Sequence, residues 1–473
     1  MKKLYTVLTI VLLSFVSLSA QNFRTGYFLD GYMYKYQLNP AFQGERGFIA
    51  APVIGGTSIG GETNLGMSTF LYPAPDGSLY TALHPDVSNE QFMKNILPSN
   101  PLNVNGDFNL LALGFRAKKT YHTLDFSLRT NLSTSLPGDF FRFLKVGGSD
   151  GNTVYDLSNL SASLNLYAQA AYGFSIKIQD FMSVGLRAKF LLGLASVESH
   201  MTDLQLSMNQ DKWMVNAGGQ IIASSMFAGP LEGADDQDIM NDMMAVVKNP
   251  SMGAAFDLGV SVDFLKHFTV SASVLDLGFI SWKNPVKYNY ESSSWEYTGF
   301  ENISTDGSGG SGENIEDQLD QKLDELTAMF NFEDPEHMNK HIQRLGFTSL
   351  LGLEFRMPFY ERLTIGALGT HRFEGPRSWT EGRFSLNLAP LRWLSLSANY
   401  AISTFGQSYG AALNIHPTGF NLFLGLDSFK PLLNISKQFI PIDEINTNLK
   451  FGITFPFGKY NGRYPKKEKV EAE

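Results

Sequence analysis

One short pattern near the N-terminus of this chain could carry covalent chemistry. Residues 56–60 (GTSIG) fit the G-x-S-x-G pattern, in which a buried strand runs into the serine and a helix leaves it. Residues 64–72 (NLGMSTFLY) have a strand-like pattern instead, and no histidine or acid is arranged near Ser58 by any visible pattern. We therefore expect no catalytic residue and predict that the protein is not an enzyme.

Two further patterns could bind a phosphate or a metal. Residues 307–312 match G-x-G-x-x-G before an amphipathic segment, 315–330. No buried parallel strand precedes the glycines, and the acidic helix start would repel a pyrophosphate, so a flexible linker is favoured. His337 and His341 are spaced for one face of a helix, but no third metal ligand is assured, and a solvated loop helix is favoured. We expect neither a cofactor nor a metal.

The N-terminus predicts export from the cytoplasm. Lys2 and Lys3 precede an apolar run (residues 4–18) that is short of the ~20 residues a membrane-spanning helix needs, so we interpret residues 1–20 as a signal peptide cleaved after Ala20. No later segment is a continuous apolar run of spanning length. The chain has no cysteine, which excludes disulfides and a lipid-anchored cysteine. Removing both lysines takes the formal net charge from −9 to −11, which disfavours nucleic-acid binding.

The strongest signal is a two-residue alternation of apolar and polar side chains. In residues 160–178 the even positions are apolar and the odd positions are mostly small or polar, which places one face in an apolar and the other in a polar medium. The composition agrees, with 37 Phe, 19 Tyr, 44 Gly and 18% charged residues. We predict about fourteen strands at 62–72, 108–117, 121–132, 160–178, 182–194, 252–264, 268–282, 347–357, 363–372, 382–389, 393–403, 409–416, 420–427 and 447–457.

The links between these strands alternate in length. Links after even-numbered strands are brief, whereas several after odd-numbered strands are long, notably 195–251 and 283–346. Outer-membrane barrels have short periplasmic turns and long extracellular loops, and a soluble β-sandwich, the alternative, has no reason to sort its loops this way. The fold class is therefore all-β, a transmembrane antiparallel β-barrel whose long loops carry short helices, one of them at 238–247.

Inward-facing charges on these strands would be costly toward lipid and suit a wet or plugged lumen. Mutual ion pairing that stiffens the barrel is favoured over contact with a substrate. The candidate lumen charges are Arg116, Asp125, Arg129, Arg187, Lys189, Asp257, Asp263 and Glu354. Aromatic residues near strand ends are expected in the girdles at the membrane interfaces: Phe108, Tyr121, Trp282, Trp393, Tyr409, Phe455 and Phe457.

Two stretches carry a resemblance to a known superfamily. Asn39, Pro40 and Ala41, soon after the signal peptide, resemble the N-terminal hatch of FadL-type fatty-acid-transporter barrels and their PorV-like relatives. Residues 273–282 (SVLDLGFISW) are similar to a recurring strand in an uncharacterised family of that superfamily, a domain of unknown function. The chain departs from the usual pattern by continuing past Phe457, so the terminal aromatic is not at the end.

The resemblance implies a domain organisation and a function. We expect a hatch at 21–61, a barrel at 62–457 and a charged periplasmic tail at 458–473, in the outer membrane of a Gram-negative bacterium. The resemblance implies transport or accommodation of a hydrophobic small molecule. The alternative is a non-transporting scaffold that binds secreted proteins or lipoproteins through its long loops. In both cases the expected surroundings are outer-membrane lipid, and no nucleic acid is expected.

Overall fold

The wall of the molecule is a closed antiparallel β-barrel of 14 strands. The computed structural model describes residues 23–76, 78–147, 152–209, 211–225, 249–265, 267–298, 320–322, 324–325, 335–429 and 446–462. The strands are β1 (Gly47–Ala50), β2 (Thr57–Thr63), β3 (Leu71–Pro73), β4 (Leu79–Thr81), β5 (Ser99–Ala117), β6 (Thr120–Pro137), β7 (Asn152–Asp156), β8 (Ser161–Gln179), β9 (Met182–Asn209), β10 (Trp213–Ser225), β11 (Ser251–Phe264), β12 (Phe268–Lys283), β13 (Val286–Tyr297), β14 (Glu336–His337), β15 (Lys340–Arg344), β16 (Phe347–Arg356), β17 (Leu363–Phe373), β18 (Trp379–Leu391), β19 (Leu394–Ser403), β20 (Gly406–Ile415), β21 (Asn421–Phe429) and β22 (Thr447–Phe457). The helices are α1 (Met67–Phe70), α2 (Asn89–Met93) and α3 (Gly138–Val146), with 3₁₀ turns at Arg24–Gly26, Met33–Gln37 and Gly375–Arg377.

The first barrel strand closes the ring and is built from two pieces. Both β1 and β2 pair with β5 on one side and β22 on the other, so that Thr57 lies opposite Phe108 and Phe451. The predicted position of this strand, 62–72, is wrong, because most of that stretch lies beyond β2 and contains α1. The sequence hides the real strand, since residues 57–63 (TSIGGET) show no apolar alternation. Residues 47–50 and 57–61, expected in the hatch, therefore belong to the wall.

The other strand predictions agree with the structure, and the short links do fall on one side of the barrel. The long links differ from expectation, because their described parts are mostly strands. β9 runs far beyond the wall and pairs with β10, which pairs in turn with β13. His337 and His341 lie on β14 and β15, so the predicted loop helix at these residues is wrong. The predicted helix at 238–247 and the glycines at 307–312 lie outside the described residues.

Burial along the barrel strands is inverted relative to a soluble protein. On β11, Phe256 and Leu258 are 49% and 50% exposed, whereas Asp257 between them is fully buried. Water does not favour such an arrangement, but a lipid bilayer outside a polar lumen does. The apolar outer face therefore indicates a membrane-embedded barrel. In the part of the chain that the structure describes, no helix is long and apolar enough to cross a membrane.

Two β-bulges turn acids into the lumen. On β12, Leu275 and Asp276 together lie opposite Asp257, and Asp276 has a φ of 62°. The extra residue reverses the alternation, so that Trp282 is fully buried inside the barrel. The expected girdle position of Trp282 is therefore wrong, and Tyr121 is also buried. A matching bulge on β21 points both Asp427 and Ser428 inward.

Candidate functional site

Residues 23–46, here called the luminal segment, lie inside the barrel. Most of their side chains are buried, and they contact barrel strands all around the ring. The Tyr27 hydroxyl is 2.9 Å from the Ser271 hydroxyl, and Asn414 donates to the backbone carbonyl of Asp30 at 3.1 Å. Lys450 on the last strand donates to Gln37 at 3.0 Å. The segment therefore fills the lumen at the level of the membrane.

Asn39, Pro40 and Ala41 sit in a notch of the wall. Gly185 on β9 and Gly259 on β11 are cross-strand partners, and a Cβ at either position would overlap this segment. Asn39 accepts from the Ala41 amide at 2.9 Å through its Oδ1 atom. Its Nδ2 donates to the carbonyls of Val260 at 3.1 Å and Ala272 at 3.2 Å. The motif thus bridges two neighbouring barrel strands by satisfying backbone carbonyls that face the lumen.

The start of the luminal segment is held by a buried set of charges, here called the N-terminal ion cluster: Arg24, Glu62, Glu381, Arg383 and Asp427. Arg24 pairs with Glu62, and its Nε is 3.3 Å from Glu381. Arg383 donates to both carboxylate oxygens of Glu381, at 2.8 and 3.1 Å. This bidentate arrangement is the strong geometry for an arginine–carboxylate pair. Asp427 accepts from the backbone amide of Arg24 at 2.6 Å. None of these five residues was singled out from the sequence, because they come from four distant parts of the chain.

A second buried set of charges, the wall ion cluster, contains five of the eight predicted lumen charges. Arg187 contacts Asp125 at 2.6 Å and Asp257 at 3.1 Å, and Lys189 contacts Asp257 at 2.6 Å and Asp276 at 2.5 Å. Arg129 lies 3.4 Å from Asp107 and 3.5 Å from Asp276. Asp107 and Asp276 were not predicted. A bulge-free strand would have pointed Asp276 toward lipid.

The other three predicted charges lie toward the periplasmic end. Arg116 donates to Gln43 at 2.7 Å and to the Gly44 carbonyl at 3.0 Å. Glu354 is buried, whereas Asp263 is exposed and accepts from Thr269 at 2.7 Å. The structure therefore gathers the predicted charges into one central cluster and a separate lower group.

A break in the first barrel strand lies beside the luminal segment. Ala50 pairs with Thr454 and Thr57 with Phe451, so residues 51–56 face only two residues of β22. Val53 and Ile54 in this break are about half exposed, and Val53 has a φ of 66°, which is unusual for a β-branched residue. On the inner side, the Tyr34 hydroxyl donates to the Gly55 carbonyl at 2.9 Å.

The inner side of this break is covered by aromatic rings, here called the aromatic cluster: Tyr32, Tyr34, Tyr36, Phe48 and Phe423. Tyr34 lies 5.7 Å from Phe48 and 5.6 Å from Phe423 between ring centroids, in edge-on geometries. Aromatic pairs of this kind stabilise the packing beyond the area they bury. At the break, an apolar cluster inside the lumen thus lies behind exposed apolar residues of the wall.

The luminal segment separates two chambers. The upper chamber encloses about 100 Å³ between the extracellular halves of the barrel strands, with Arg24 of the luminal segment in its lining. The lower chamber is an open cavity of about 590 Å³, lined by the luminal segment and by the strand ends that carry the short links. Cavities of several hundred Å³ are typical of small-molecule sites.

The structure places the residues of two patterns that could carry chemistry. Ser58 is buried within β2 and not at a strand-to-helix turn. Among the described residues, no group of three His, Asp or Glu side chains could hold a metal ion.

Residues 40–427 match the model of a family described as a family of unknown function, DUF5723. The chain belongs to this family. The match includes Pro40 and Ala41 of the motif, the wall ion cluster and the β12 bulge. It ends at Asp427 of the β21 bulge. No curated protein matches this DUF5723 chain.

Solved structures similar to this DUF5723 protein include two toluene transporters and a FadL homologue. The toluene transporter TbuX of Ralstonia pickettii is 8% identical, with a TM-score of 0.43 over 90% of this chain and 94% of that chain. The toluene transporter TodX of Pseudomonas putida is 10% identical, with a TM-score of 0.39 over 94% and 95%. A FadL homologue of Pseudomonas aeruginosa is 9% identical, with a TM-score of 0.41 over 93% and 100%.

Proposed function

We propose that this DUF5723 protein is an outer-membrane channel that moves a hydrophobic small molecule, with the luminal segment acting as its hatch. The observation that carries the proposal is the break at residues 51–56, backed by the aromatic cluster. An apolar molecule is poorly soluble in water but partitions into the bilayer and onto aromatic surfaces. A path between the bilayer and an aromatic surface in the lumen therefore suits such a molecule.

The break supports this path because the regular pairing of the wall is interrupted there. Backbone groups in a barrel strand normally pair with both neighbours, since lipid cannot satisfy them. Here residues 51–56 lack the regular ladder, and two backbone hydrogen bonds, Ala51 to Ile453 and Ile453 to Ile54, cross the break. The Tyr34 hydroxyl ties the break to the luminal segment by its bond to Gly55. Movement of the segment would release this bond and open the wall locally.

Removal of one hydroxyl tests the proposal. In Tyr34→Phe the bond to Gly55 is lost, and a neutral hydrogen bond of about 1 kcal/mol corresponds to about fivefold in an opening equilibrium. We expect uptake of a long-chain fatty acid by whole cells to rise by about that factor. Tyr36→Phe is the matched control, because the Tyr36 hydroxyl is buried in the same cluster and has no hydrogen-bond partner among the described residues.

Two results would contradict the proposal. Uptake no faster than in cells lacking the protein would remove the transport function itself. Equal uptake by the Tyr34→Phe and Tyr36→Phe variants, at equal levels in the outer membrane, would remove the role of the break.

A second candidate function is a scaffold for secreted proteins or lipoproteins, and the extension of the wall favours it. β9, β10 and β13 continue as a sheet beyond the barrel, so many residues of the chain form a surface outside the membrane. Crosslinking in intact outer membranes followed by purification tests this function. Recurring exported partners that disappear when residues 201–222 are replaced by a short turn would support the scaffold, and a partner-free protein would exclude it.

A further inference from the structure

The upper chamber has a lining that does not suit an apolar ligand. Side-chain amides surround it, from Asn103, Asn105, Asn131, Asn165 and Gln343. Two rings, Tyr167 and Trp379, are the large aromatic surfaces in the lining. Its volume of about 100 Å³ is several times the ~10–15 Å³ that a cavity needs to hold one water molecule. The chamber is therefore polar and large enough for more than isolated waters.

Several buried donors in this lining have no protein partner. The Nδ2 atom of Asn103, the Oγ1 atom of Thr370 and the Nε1 atom of Trp379 find no hydrogen-bond partner in the described part of the chain. These three residues are only 3%, 3% and 4% exposed. An unsatisfied buried polar group costs about 1–3 kcal/mol, so groups of this kind call for an occupant of the cavity.

Four of the five arginines in the lining lie beside carboxylates, and Arg344 is the fifth. Arg129 lies 3.4 Å from Asp107, and Glu374 lies 2.6 Å from Arg372 and 3.2 Å from Arg377. Arg24 is held in the N-terminal ion cluster. Each of these four arginines has a carboxylate neighbour, and this pairing offsets most of the field that would attract an anion.

We propose that the upper chamber is a binding site for a small, neutral, hydroxyl-rich molecule of the size class of a monosaccharide. A hydroxyl group both donates and accepts hydrogen bonds, which matches a lining of amides, paired charges and unpartnered donors. The C–H face of a sugar ring packs on an aromatic ring such as Tyr167 or Trp379. This site is separate from the break in the wall and does not depend on transport of a hydrophobic molecule.

The test measures binding directly. The full-length protein, in a detergent without a sugar head group, is titrated calorimetrically with D-glucose, D-galactose, D-ribose and D-glucuronate. We expect saturable binding of at least one neutral sugar and weaker binding of the anionic glucuronate. Thr370→Val removes an unpartnered hydroxyl, and Asn103→Leu removes the unpartnered Nδ2 together with the Oδ1 that accepts from Ser133 at 2.8 Å. Each variant should weaken this binding about three- to tenfold.

Each variant has a matched control on its own strand. Thr364 on β17 and Asn109 on β5 are buried and have unpartnered side-chain atoms among the described residues, but they lie outside the chamber lining. Thr364→Val and Asn109→Leu should leave sugar binding unchanged. No saturable binding by any neutral sugar, tighter binding of glucuronate, or equal losses in the controls would overturn the proposal. Uptake of a fatty acid is measured separately, so the two functions fail independently.

Discussion

The guanidinium group of Arg187 lies between two fully buried carboxylates, 2.6 Å from Asp125 and 3.1 Å from Asp257. Arg187 lies on β9. Asp257 lies on the neighbouring strand β11, and Asp125 lies on β6, which is separated from β9 by β8. The arrangement ties together four neighbouring barrel strands.

Arg187→Met should therefore destabilise the barrel strongly. Removal of one partner from a buried ion pair typically costs about 3–5 kcal/mol, because the remaining charges are left uncompensated. The temperature at which the folded band disappears in heat-modifiable gel mobility should fall by many degrees. Lys177→Met, at an exposed position, is the control. A triple variant that adds Asp125→Asn and Asp257→Asn should recover part of the loss. An Arg187→Met barrel as stable as wild type, or a Lys177→Met barrel as unstable as Arg187→Met, would contradict this account.

Gly185→Ala should unseat the luminal segment. A Cβ at this position would collide with the Pro40 carbonyl and the Ala41 amide, which are backbone atoms that a rotamer change cannot move away. We expect a higher ion conductance in planar bilayers, because the lumen is no longer filled. Gly382→Ala on β18 is the matched control, since nothing lies within 4 Å of a Cβ there. Equal conductance of the two variants would show that the notch does not hold the segment.

A disulfide between the segment and the wall should stop transport. The atom nearest to a Cβ at position 259 is the side-chain oxygen of Asn39, which Asn39→Cys removes, so Asn39→Cys with Gly259→Cys places two sulfurs within reach. The chain has no other cysteine, so no competing bridge can form. Fatty-acid uptake should drop to background in the oxidised protein and return after reduction. Unchanged uptake by a fully oxidised sample would mean that the hatch need not move.

Tryptophan quenching by lipids should reveal which rings face the bilayer. Trp393, in the short link between β18 and β19, is 45% exposed, whereas Trp282 is fully buried and donates to Gln343 at 2.7 Å. In vesicles of brominated phospholipid, Trp393→Phe should remove most of the quenching that depends on bromine. Trp282→Phe should leave that quenching nearly unchanged. The opposite ranking would place Trp282 on the lipid side and disprove the reversal at the β12 bulge.

The sequence by itself determined the barrel, because a two-residue rhythm with short and long links is a local property that each strand carries independently. It also identified the buried pair of Arg187 and Lys189, since charges at inward positions of an otherwise apolar strand stand out. The position of the first strand was missed because a glycine-rich strand of mixed polarity has no rhythm to detect.

Only the tertiary structure decided which side chains meet in the lumen. Asp276 and Trp282 change face at a bulge, whose extra residue leaves no mark on composition. Arg24 contacts Asp427, which lies some four hundred residues later in the sequence, because closure of the ring brings both ends of the chain together. Contacts across a closed barrel depend on the register and shear of every strand between them, and a sequence pattern that repeats every two residues contains no record of that register.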